Sequence, residues 1–139
     1  MASMAIADTP WHGPEAYERY MGRWSRQLAP RFLQWLDAPP GRRWLDLGCG
    51  TGAFSAAILA TCAPRAVTGV DPSEGFLAAA RDNLPAHVRL HRAPADRLPM
   101  ADGEVDIVAS ALVLNFVPDA AAALREMVRV TAEGGCVAA

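Results

Sequence analysis

The chain has 139 residues, 52% of them hydrophobic and 20% charged, with a net charge of −2. That is room for one domain with a real core; it excludes two domains and a chain disordered throughout, and no apolar run is long enough to span a bilayer. All 13 basic residues are Arg and lie scattered, and the three Cys and three His show no ligand spacing, so no nucleic-acid-binding block, disulfide framework or metal site follows. In chain order, residues 1–13 read as a loose lead-in without a secretory signal, which makes the cytoplasm the expected compartment. Gly13-Pro14-Glu15 opens a short helix carrying Tyr17, Tyr20 and Met21. A second helix is predicted over Leu28 to Leu36, with Leu28, Phe32, Trp35 and Leu36 as its apolar stripe, ended by Ala38-Pro39-Pro40-Gly41. Residues 1–41 are thus the lead helices, and 42–139 the remainder of the same domain.

From Arg42 short apolar runs alternate with Ala-rich helical runs. The predicted strands are Trp44 to Leu47, Ala66 to Val70, Val88 to His91, Val105 to Ala109, and a fifth starting at Cys136. Helices are predicted near Ala53 to Thr61, after the cap Ser73, and after the cap Asp119. The last of these is expected to bury Ala123, Leu124, Met127 and Val128 and to be broken by Gly134-Gly135. Strands separated by helices give an α/β fold, a Rossmann-like doubly wound parallel sheet. Ligands of such sheets sit beyond the carboxyl ends of the strands.

The chemistry concentrates there. Leu45-Asp46-Leu47-Gly48-Cys49-Gly50-Thr51-Gly52 ends the first strand in three alternate glycines, which let the backbone turn sharply and come close to a ligand. The helix behind them offers unpaired N–H groups to an anion. Asp46 adds a negative charge that repels a pyrophosphate and attracts an ammonium, a pairing suited to an amino-acid moiety. Asp71, at the end of the second strand, can accept both hydroxyls of a ribose. Together the two read as an adenosine-cofactor site.

With Gly69-Val70-Asp71-Pro72-Ser73, Leu98-Pro99-Met100, Val105-Asp106-Ile107-Val108, Leu114-Asn115-Phe116-Val117-Pro118-Asp119 and Gly134-Gly135, the octet resembles the class I S-adenosylmethionine-dependent methyltransferases. It looks closest to their small-molecule branch, the type 11-like enzymes related to ubiquinone and menaquinone biosynthesis methyltransferases. Tyr17 to Ser25 looks like that branch's lead segment. The resemblance implies S-adenosyl-L-methionine as cofactor and a small-molecule methyl acceptor. It implies backbone contacts from Gly48, Cys49 and Gly50 to the methionine part, with Asp46 orienting the loop and the ammonium. It also implies Asp71 on the ribose, Pro72 packed on the adenine, and the Ala95 N–H at the adenine edge. Pro94 departs from the acid often found just before that position, leaving Asp96 to reach round. Asn115 stands where relatives often place a His, on the acceptor side.

Other readings stand beside these. Tyr17, Tyr20 and Trp24 either pack over the sheet edge or lid the cofactor, with Tyr20 taken as the cofactor contact. Arg23 either pairs with the cofactor carboxylate or is a surface cation. Cys49 reads as a small filler and Asp106 as a solvated or loop-bonded acid away from the ligand edge. No catalytic base is identified and no metal is implied. The rival functions are a non-catalytic cofactor-binding or truncated chain and a nicotinamide-dependent oxidoreductase, the latter opposed by Asp46. Because the family's sheet continues past its fifth strand, the chain reads as incomplete there, and its open fifth-strand edge is expected to promote self-association.

Overall fold

A computed structural model describes residues 14–139, without the side chains of Pro14, Tyr17, Glu18 and Tyr20. Helix α1 (Pro14–Tyr17) runs through a wide π turn, Glu18–Gly22, into α2 (Arg23–Leu36). Then follow β1 (Arg43–Leu47), α3 (Ala53–Thr61), β2 (Ala66–Asp71), α4 (Glu74–Asn83), β3 (Arg89–Arg92), β4 (Val105–Ala109), a short 3-10 turn (Leu114–Phe116), α5 (Ala120–Val130) and β5 (Thr131–Ala138). The five strands form one parallel sheet in the order β3-β2-β1-β4-β5. The chain winds outward from β1 in both directions, so the order reverses between β1 and β4 and a crevice opens beyond their carboxyl ends.

Alternation along β1 builds two cores. Trp44 points into a layer with Ala29, Leu33, Phe54 and Ile58 of α2 and α3, while Leu45 and Leu47 face the opposite layer with Met127 and Val130 of α5. Asp46 falls on the face of Trp44, and this parity brings it to α3. At the entrance to the sheet, away from the crevice, Arg43 grips Asp106: its Nε and backbone N–H donate to Oδ2 at 3.0 and 2.8 Å, and Nη2 donates to Oδ1 at 2.8 Å. The guanidinium holds the Asp106 carboxyl well below the usual range. Asp106 is therefore paired rather than solvated or loop-bonded, though it does lie away from the ligand edge.

Four expectations change. Helix α2 begins at Arg23 and tolerates an exposed Pro30; Phe32 and Leu36 of the predicted stripe do pack against the core beside the buried Ala29 and Leu33, while Trp35 is 74% exposed. Strand β3 sits one residue later than expected. Helix α5 buries Ala123, Met127 and Val130, leaving Leu124 42% and Val128 64% exposed. A polar clasp sets that roll: the Glu126 carboxylate accepts from the Leu98 N–H at 2.7 Å, and Arg129 donates to the Leu98, Met100 and Asp102 oxygens. Finally, Gly134-Gly135 does not break the helix. The strand starts at Thr131, and the glycines form a bulge in it, because pairing jumps from Val105↔Thr131 to Ile107↔Cys136. Gly134 takes φ +75°, and a Cβ on Gly135 would collide with the Asp106 carbonyl oxygen.

The two sheet edges differ. Exposed Arg89, His91 and Arg92 stud β3, whereas β5 carries Glu133 as its one charged residue. Charges along an edge discourage another strand from pairing there.

Candidate cofactor site

The crevice is built from three strand ends. Leaving β1, the backbone N–H groups of Gly48 and Cys49 both donate to the Val70 carbonyl of β2, at 2.7 and 3.0 Å. That draws the loop across the neighbouring strand. Gly69 permits the approach, since a Cβ there would sit 2.9 Å from Cys49 Sγ. Gly48 takes φ +74° beneath Val113, whose Cγ1 would stand 2.5 Å from any Cβ at that position. Gly50, at φ +53°, has nothing within 4 Å of where its Cβ would be, so the loop presents bare backbone to open space.

Asp71 fastens this loop from the end of β2. Its Oδ2 accepts from the Gly50 N–H at 3.0 Å and its Oδ1 from the Ser73 N–H at 2.8 Å. Burial raises its pKa, an effect the two N–H donors partly offset. Each oxygen keeps a second lone pair for a ligand hydroxyl. Behind it Ser73 caps α4 by accepting from the Phe76 N–H at 3.3 Å. The Asn83 side-chain amide, at the far end of α4, donates to the Thr51 carbonyl at 3.0 Å.

Asp46 lies fully buried under the loop, where its Oδ2 accepts from Ser55 Oγ at 2.6 Å. Burial pushes its carboxyl up to about 7; the Ser55 hydrogen bond lowers it and the Asp71 charge raises it further. Burial also lifts the Cys49 thiol well above its ordinary value, so Cys49 stays protonated, as a filler would. Gly22 and Ser25 of the lead segment close over Asp46, Gly48 and Gly50 in a small cleft. Beside it a larger cleft of about 390 Å³ is lined by Gly48, Gly50, Asp71, Pro72, Ala95 and Asp96 on one side and by the segment after β4 on the other.

The structure therefore brings Asp46, Gly48, Cys49, Gly50, Asp71, Pro72 and Ala95 to one crevice. The side chain of Tyr20, like that of Tyr17, lies outside the described residues. The Arg23 guanidinium sits 5.2 Å over the ring of Trp24, which is half exposed, so neither closes on the loop. Asn115 is exposed in the 3-10 turn. Reading the residues alone missed Gly22, Ser25, Ser55, Leu112, Val113 and Phe116. Of these, Ser55 carries a signal in retrospect: a small hydroxyl in the first turn of the helix that follows the glycines.

A glycine loop at the switch point, a buried acid behind it and a second acid at the neighbouring strand end define a Rossmann-like domain for an adenosine cofactor. Residues 45–139 match the family described as the methyltransferase domain. Residues along 81% of the chain are 37% identical to malonyl-[acyl-carrier protein] O-methyltransferase of Serratia marcescens, covering 43% of that protein. Similarity to demethylmenaquinone methyltransferase of Desulfitobacterium hafniense is 32% identity along 76% of the chain and 44% of the relative. Among solved structures, the S-adenosylmethionine-dependent methyltransferase of Mesorhizobium loti superposes with a TM-score of 0.67 at 29% identity, over 81% of this chain and 51% of that one. The chain belongs to the methyltransferase domain family, whose class I members take S-adenosylmethionine as methyl donor. It spans less than half the length of these two curated relatives.

Proposed function

We propose that this chain binds S-adenosylmethionine and serves methyl transfer to a small-molecule acceptor. The observation that carries the reading is the bond from Gly50 N–H to Asp71 Oδ2, which locks the glycine loop to the acidic end of β2. Asp71 would hold the ribose hydroxyls, Pro72 and Ala95 would flank the adenine, and the bare backbone of Gly48 to Gly50 would face the methionine part. Buried Asp46, beneath Gly22 and Ser25, suits an ammonium, and a nicotinamide dinucleotide would bring its pyrophosphate against that same charge. When bound, the sulfonium supplies an electrophilic methyl group and departs as a neutral thioether. The protein's own part is alignment and exclusion of water. Among the described residues lining the larger cleft the only titratable side chains are Asp71 and Asp96, so the acceptor must arrive as a ready nucleophile or lose its proton to solvent. That sparseness also favours a second reading, cofactor binding without transfer by this chain alone.

No described helix is long and apolar enough to cross a membrane. We further infer a cytoplasmic setting, on the strength of three free thiols, and pairing of the open β5 edge with a second copy. Calorimetric titration with S-adenosylhomocysteine and with NADH tests the cofactor. The first should bind and the second should not, and Asp71→Asn should weaken S-adenosylhomocysteine by at least about tenfold, as expected for losing hydrogen bonds to a charged acceptor. Heat from NADH alone would overturn the reading.

A further inference from the structure

We propose that Ser55 is a positioning residue for the ammonium end of the cofactor: from the first turn of α3, its hydroxyl holds the Asp46 carboxylate in the orientation and charge state that a cation needs. The assignment rests on the cofactor reading above. Gly52 at the N-cap gives α3 no side-chain cap of its own, so the donors of its first turn are left to find acceptors elsewhere. Asp46, on the strand beneath, is such an acceptor. Ser55 Oγ donates to Asp46 Oδ2 at 2.6 Å, and the Ser55 backbone N–H also favours the charged carboxylate. Both residues are sealed from solvent, Ser55 at 0% exposed and Asp46 at 1%.

The contact matters because of where Asp46 stands. Among the described residues lining the small cleft it is the one charged side chain, so an ammonium entering there depends on that carboxylate being ionised and held still. Its other surroundings do not favour ionisation. Water is excluded, Asp71 at the end of β2 adds a like charge, and the Cys49 thiol of the loop stays neutral. Gly22 and Ser25 of the lead segment, Ala53 and Phe54 of α3, and Ala111 after β4 bring no charge to the cleft. Against these stands a hydroxyl donating to a charged acceptor, a bond roughly twice as strong as one to a neutral acceptor, which therefore favours the carboxylate over the acid. Alanine would meet the packing need of this buried position, in a helix whose one other polar residue is the terminal Thr61. The hydroxyl serves Asp46 rather than the core.

The test uses the full chain and two variants, Ser55→Ala and Ser55→Cys, the thiol of the second being of similar size but a weak donor. Carbon-13 NMR of the ligand-free proteins follows the Asp46 carboxyl directly, with Asp46→Asn to assign its signal. Its midpoint should rise by about one pH unit or more in both variants, as expected for losing a hydrogen bond to a charged group. Calorimetric titration with S-adenosylhomocysteine from pH 6 to pH 9 reads the consequence for binding. Affinity should fall by about fivefold at pH 7 and return to within about threefold of the parent at pH 9, as the carboxylate is recovered. A residue serving packing alone would lower affinity equally at every pH. An Asp46 midpoint that moves in neither variant, or a loss of affinity undiminished at pH 9, would overturn the role of Ser55. Failure of S-adenosylhomocysteine to bind the parent would instead overturn the cofactor reading, and the ammonium role of Ser55 with it.

Discussion

Sealed from water and held by the Ser55 hydroxyl, Asp46 ionises only near neutral pH in the free protein. Its folded-state pKa lies above the ordinary Asp value of about 3.9, so between those two values the folded protein holds a proton that the unfolded chain has lost. Asp46 thus favours the fold most when protonated, and that contribution fades as pH rises through 7. An ammonium ligand reverses the preference, because it interacts with the carboxylate and not with the acid. Affinity for S-adenosylhomocysteine should accordingly rise by about tenfold from pH 6 to pH 8, following the ionised fraction of one group of pKa near 7. Asp46→Asn should bind weakly and flatten that profile, and calorimetry across the range reads both. An equally steep profile in the variant would assign the proton to another group. The acid itself was legible in the sequence as the residue preceding the glycine loop. Ser55 was not, because its meeting with Asp46 depends on how α3 is rotated above β1, which no local pattern encodes.

At the scale of elements, caps and periods near in sequence were readable and long-range polar contacts were not. Ser73 and Asp119 each cap their helix through a side chain three residues from the N–H it accepts. The glycine loop, likewise local, ends β1 where the pattern placed it. The roll of α5 is different. Two apolar stripes run along that helix, one through Ala123, Met127 and Val130 and the other through Leu124 and Val128. The choice between them falls to Glu126 and Arg129, which reach the chain at Leu98, Met100 and Asp102. Met127→Ala should therefore cost about 2–5 kcal/mol of stability in chemical denaturation, the usual range for emptying a buried site. Val128→Lys should stay within about 0.5 kcal/mol of the parent. Equal losses would mean that both stripes are buried. The Gly134-Gly135 pair misled for a related reason: two glycines read locally as a helix stop, but Thr131 and Cys136 on either side pair with Val105 and Ile107, far earlier in the chain, which leaves the glycines between them in a bulge.

For the molecule as a whole, the parallel sheet follows from alternation of strands and helices, whereas the order β3-β2-β1-β4-β5, and with it the crevice, comes from the strand pairings. What no such pattern supplies is the state of the edges. With β5 open and only Glu133 charged along it, light scattering over a dilution series should report a dimer that dissociates on dilution; a monomer at every concentration would rule out the pairing. Arg89, His91 and Arg92 on β3 then acquire a second meaning. If two copies join β5 to β5 across a twofold axis, each turns its cationic margin outward, and the joined sheet has no neutral edge left to recruit a third. In such a dimer growth would stop at two: the same asymmetry that admits one partner would terminate the assembly and keep it from becoming a fibre.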